Sequence, residues 1–103
     1  MNSSEIKLVL ERALARLKAG EAWTQHAFAR DDAGVEVDPS DPRAASWCAL
    51  GAVYAELKAP FAEFRAVTSP LRIRRVPTAL NDNARSFDEV RRLYEDAFAW
   101  LDA

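Results

Sequence analysis

Sulfur and imidazole are scarce in this chain. It has one cysteine, one methionine and one histidine among 103 residues. A lone cysteine excludes an intrachain disulfide framework and fits a reducing compartment. One histidine, one cysteine and scattered carboxylates give no metal-ligand spacing, so neither a metal nor a cofactor is expected. No apolar run approaches the roughly 20 residues that span a bilayer, so no membrane segment is expected. The opening residues Met1-Asn2-Ser3-Ser4-Glu5 place no basic region ahead of an apolar stretch, so no secretory signal is expected and the expected location is cytoplasmic. A large surplus of charge of one sign is lacking as well, with 14 basic against 16 acidic residues. A formal net charge of -2 leaves no whole-molecule footprint for nucleic acid.

What is present is ordinary for a globular protein: half the residues are hydrophobic and 29% are charged. The length suits one domain that buries roughly 60–65% of its unfolded surface. Eleven arginines against three lysines, with abundant alanine, suggest a GC-rich bacterial or phage genome.

Hydrophobic spacing predicts the elements. Ile6, Leu10, Ala13, Leu14 and Leu17 fall on one face of a helix capped by Ser3 or Ser4, running to about Ala19 and stopped by Gly20. From Glu21 to Arg43 the pattern changes. Ala27–Arg30 and Val35–Val37 flank Asp31-Asp32-Ala33-Gly34, as in a short hairpin or an ordered loop. A second helix is expected from about Ala44 to Lys58, with Trp47, Leu50, Gly51, Tyr54 and Leu57 on one face. It is apolar nearly all round, which marks a central helix. Gly51 inside it costs about 1 kcal/mol relative to alanine, so a close backbone contact is expected there. Pro60 ends that helix or starts a short one over Phe61–Val67. Leu71–Val76 alternates like a strand or turns into a short helix at Pro77. Ser86-Phe87-Asp88-Glu89 is a capping box that opens a last helix, with Trp100 near its end.

Four residues carry the chemical possibilities. Cys48 lies at the start of the second helix, where the dipole favours a thiolate. His26 is the sole imidazole base, and Asn81 or Asp82 could orient it into a Cys-His-Asn/Asp set. The simpler readings are a core cysteine, an exposed or capping histidine and a structural Asn-Asp turn. A basic patch of Arg72, Arg74 and Arg75, joined by Arg91 and Arg92, could meet phosphates or an acidic protein face. Equally, it could be a solvated surface paired with Asp88, Glu89, Glu95 and Asp96. Trp47 and Trp100 fall at helical core positions. Trp23 falls in a loop, where it covers the core edge or, if exposed, anchors an interface.

Read in order, Trp23-Thr24-Gln25, Ala29-Arg30-Asp31, Trp47-Cys48-Ala49-Leu50-Gly51-Ala52, Asn81-Asp82 and Ser86-Phe87-Asp88-Glu89-Val90 form a set. It resembles a group of small bacterial and phage proteins classed as a domain of unknown function, over about residues 8–100. The cysteine helix followed by Asn-Asp is its most specific part. An aromatic often precedes the Asn-Asp pair in that group, where this chain has Leu80, and His26 matches no histidine of the group. The resemblance implies a fold outline and no activity.

The sequence thus predicts a mainly α fold. It is a single-domain bundle of three principal helices with one or two short ones, and a short hairpin or ordered loop between the first two. The expected function is a non-enzymatic accessory or interaction protein with a protein partner, in a phage or mobile-element setting. The alternatives are a small cysteine-dependent enzyme using Cys48, and a regulator that binds nucleic acid weakly through Arg72, Arg74 and Arg75. The oligomeric state is not legible.

Overall fold

Asn2, one residue ahead of the expected serines, caps the first helix. Its side chain accepts from the Glu5 amide at 2.9 Å, and the Glu5 carboxylate accepts back from the Asn2 amide at 3.4 Å. The computed structural model describes residues 1–57, 61–73 and 75–103. Helix α1 (Ser3–Arg16) buries Leu10 and Ala13, followed by Leu17 at its C-cap. It stops three residues before the expected end. Lys18, Ala19 and Gly20 all have positive φ, at 48°, 54° and 102°, because the Gly20 and Ala22 amides both turn back to the Leu17 carbonyl. This turn feeds the chain directly into Trp23.

A small antiparallel pair follows, β1 (Ala29–Arg30) with β2 (Ser46–Trp47), in register Ala29 with Trp47 and Arg30 with Ser46. Backbone partners flank β2 on both sides. The Trp47 amide donates to the Ala22 carbonyl at 2.9 Å, and the Trp47 carbonyl accepts from the Thr24 amide at 3.0 Å. On the other side Cys48 donates to the Phe28 carbonyl at 3.1 Å. Of the hairpin or ordered loop expected here, the structure has an ordered loop with one isolated bridge, Arg30 with Glu36, closed by the Asp31 carboxylate accepting from the Ala33 and Val35 amides.

Helix α2 (Ala49–Leu57) therefore starts five residues later than expected, since Ser46–Trp47 is spent on the sheet. Its expected end at Lys58, and the helix break at Pro60, lie outside the described residues. The close contact predicted at Gly51 is present: a β-carbon there would run into the Phe28 carbonyl oxygen. After α3 (Phe61–Thr68), a 3-10 turn (Ser69–Arg72) leads to α4 (Pro77–Asn83) and α5 (Phe87–Asp102).

The protein is mainly helical, with five α-helices among the described residues rather than three principal ones. α2 packs on α1, α3 and α4, and α5 packs on α1, α4 and the 3-10 turn. Leu10, Leu17, Val53, Val67, Val90 and Tyr94 are fully buried between them. Ser86 marks the start of α5, but its side chain makes no capping bond. Glu89 instead accepts from the Arg85 amide at 2.6 Å.

Candidate functional site

The motif residues converge on one carboxamide. Asn81 sits in α4, fully buried, so Asn81-Asp82-Asn83 is helix rather than the expected turn. Its Oδ1 accepts from the Trp23 indole at 2.7 Å and from the Ala49 amide at 2.9 Å. Its Nδ2 donates to the Thr24 carbonyl at 3.0 Å and to Asp82 Oδ1 at 3.2 Å. One side chain thus ties the Trp23 loop, the start of α2 and α4 together. A buried carboxamide with donors and acceptors all engaged is a rigid joint.

Gln25 and Arg30 complete the joint, and neither stood out as a site residue in the sequence. Gln25 Nε2 donates to the carbonyls of Asn81 and Ala84, both at 2.9 Å, and so caps the end of α4. The Arg30 guanidinium spans Thr24 Oγ1 at 3.1 Å, the Gln25 carbonyl at 3.2 Å and the Gly34 carbonyl at 3.0 Å. Their signal was type and place: a planar five-donor fork and an amide, both inside loops that must satisfy many carbonyls.

Cys48 is 4% exposed and stands at the N-cap of α2, not inside the helix. Its sulfur accepts from the Gly51 amide at 3.2 Å. Burial pushes the thiol up, and the amides of Gly51 and Leu50 offset only part of that. This is the electrostatics of a protonated capping thiol, whereas a nucleophile needs the thiolate. His26 is not brought to it. The His26 side chain is 69% exposed and faces Asp82, with Nδ1 3.8 Å from Oδ2, while its amide donates to Asp82 Oδ1 at 2.8 Å. His26 holds a left-handed φ of 64° to make that turn. Cys48, Asn81 and Asp82 are near one another, but the bonds among them and their neighbours are those of the fold. Among the described residues, no three His, Cys, Asp or Glu side chains gather to hold a metal ion.

Two of the three tryptophans sit where expected, Trp23 at the core edge and Trp47 in the core, and the third does not. Trp23 is half-buried, bonded to Asn81, and meets Phe87 edge-on at 5.9 Å, so it belongs to the joint. Trp47 is buried, and its indole donates to the Pro39 carbonyl at 3.0 Å. Trp100, expected on the core stripe, is 56% exposed.

Trp100 lines an open groove of about 440 Å³ along α5. Ile73 and Arg75 form its other wall, and Leu80 of α4 contributes to it. Besides Trp100, α5 supplies Glu89, Arg92, Leu93 and Asp96. Ile73 is 49% exposed and Val76, three residues on, is 62% exposed. Arg72 and Arg75 are exposed on the same segment, and Arg74 lies outside the described residues. Arg91 leaves the expected patch: it pairs with Asp88 and lies over the Phe87 ring. No helix among the described residues is long and apolar enough to cross a membrane.

Residues 1–102 match the model of a family of unknown function, DUF6197, and the chain belongs to that family. No curated protein and no solved structure matches it.

Proposed function

We propose that this member of a family of unknown function is a non-enzymatic interaction protein whose docking face is the groove along α5. One observation carries the reading: Trp100 and Ile73, 56% and 49% exposed, line the same groove. Exposed apolar side chains gathered in a concavity mark interaction sites, and tryptophan is among the residues enriched as anchors of such sites. The state of Cys48 supports the same side of the question, since a capping thiol with a raised pKa is poorly suited to attack. Phosphate binding draws less support, because Glu89 and Asp96 share the groove with Arg75 and Arg92. The low sulfur content fits work in a reducing cytoplasm, and the arginine-rich, alanine-rich composition fits a phage or mobile-element setting.

The test is site-specific photo-crosslinking in cells that carry the gene. A benzophenone side chain is placed at Ala99 on the groove, or at Ala33 on the exposed turn after β1. Discrete adducts from position 99 and few from position 33 are the expected result. Equal yields, or none from position 99, would remove the docking face.

A further inference from the structure

Along α5 the groove residues Glu89, Arg92, Leu93, Asp96 and Trp100 recur at i, i+3, i+4, i+7 and i+11, one stripe of a helix. The charges along that stripe alternate: negative, positive, negative. Glu89 is engaged as the cap on the Arg85 amide. Arg92 and Asp96 are both exposed, and among the described residues neither makes an ion pair. The pairs that α5 does form, Arg91 with Asp88 and Asp102 with Lys7, use other side chains. An acidic partner helix would meet Asp96, and a basic one would meet Arg92 and Arg75. The partner that fits must carry both signs, in the reverse order, beside an apolar anchor.

We infer that the occupant of the groove is a second copy of this chain, its α5 antiparallel to the first; the inference rests on the docking reading above. A two-fold axis at the height of residue 94 sets Arg92 against the partner's Asp96 and Asp96 against the partner's Arg92. Both contacts form at once, as an isologous interface requires. The same axis carries Trp100 to the height of residue 88 on the facing helix, the end where α4 runs into α5 and Leu80 lines the groove. Each copy then supplies both the tryptophan anchor and the groove that receives it. Burial of Trp100 and Ile73 supplies the drive, and the alternating charges fix direction and register.

Sedimentation equilibrium of the full chain, from about 1 µM to 1 mM at low salt, tests this. The expected result is a reversible species of twice the 11.5 kDa chain mass. Trp100→Glu should abolish it. Arg92→Asp and Asp96→Arg should each weaken association about tenfold or more, since each sets like charges face to face twice. The double variant Arg92→Asp with Asp96→Arg should restore association, and that recovery separates a paired register from general stickiness. All four substituted chains replace exposed side chains, and circular dichroism checks that each keeps the fold. A wild-type chain that stays monomeric to 1 mM, or a double variant no better than the single ones, overturns the inference. If position 99 then crosslinks to a different protein, the docking face stands and only the identity of its occupant falls. If position 99 gives no adducts, the docking reading itself falls.

Discussion

The side chain of Asn81 accepts the Ala49 amide at 2.9 Å, so a residue of α4 caps the start of α2 across 32 residues of sequence. The same oxygen holds the Trp23 indole, and the same amide group holds the Thr24 carbonyl. Truncation leaves three groups unsatisfied in a closed part of the fold, each costing about 1–3 kcal/mol. Asn81→Ala should therefore lower stability by about 3 kcal/mol or more, read as a loss in the urea midpoint at unchanged slope. A loss below about 1 kcal/mol would show that water replaces the side chain at no cost.

Cys48 should behave as a structural thiol. Alkylation of the native chain at pH 8 should be slower than in denaturant by roughly a hundredfold, since it must await opening of the α2 start. Burial raises the folded-state pKa of the thiol. The protonated form is therefore favoured in the fold, and this contribution to stability is complete below the unfolded value of about 8.5. It fades as pH climbs from there through the raised folded value. Cys48→Ser keeps an atom that caps Gly51, so it should be more stable than Cys48→Ala by about 1 kcal/mol in urea. Rapid alkylation of the folded protein with an apparent pKa below 7 would revive the nucleophile.

The two ends of the chain were the legible part. The stripes of α1 and, Trp100 apart, of α5 read correctly because 14 and 16 residues of helical period leave little alternative. The middle misled for a definite reason. Trp47-Cys48 runs into the apolar helix that follows with no charged or turn residue between them, and only the chain at Ala22–Thr24 and Phe28–Arg30, distant in sequence, draws it into a sheet. Asn81 was visible as a marked residue but not as a joint, since its partners Trp23, Thr24 and Ala49 lie more than 30 residues away. Trp100 matched the helical period and was therefore assigned to the core, although the neighbouring segment at Ile73 leaves a groove instead of a cover.

Gly51→Ala sets helix propensity against packing. Alanine gains about 1 kcal/mol inside a helix. Its methyl group would meet the Phe28 carbonyl oxygen, which is already accepting the Cys48 amide at 3.1 Å. Backbone cannot yield as a flexible side chain does, so overpacking of about 3 kcal/mol or more should win. A net loss near 2 kcal/mol corresponds to a fall of roughly 8–16 °C in melting temperature for a chain of this size. A melting temperature that rises would show that β1 slides away from α2 freely.

Asp41 provides the clearest acid titration. The Arg43 side chain and then the Arg43 amide hold its carboxyl well below the usual range, at about 2, through bonds of 2.8 to 3.1 Å. Because the folded pKa is depressed, the carboxylate stabilises the fold above the unfolded value of about 3.9. That contribution is lost as pH falls from about 4 toward 2. Arg43→Ala removes the guanidinium and keeps the amide, so the pKa of Asp41 should rise part of the way back. NMR titration of the Asp41 carboxyl carbon in both chains measures this directly. A value near 3.9 in the wild-type chain would mean that the Asp41–Arg43 turn is open in solution. A value that stays low in Arg43→Ala would assign the whole shift to the backbone amide.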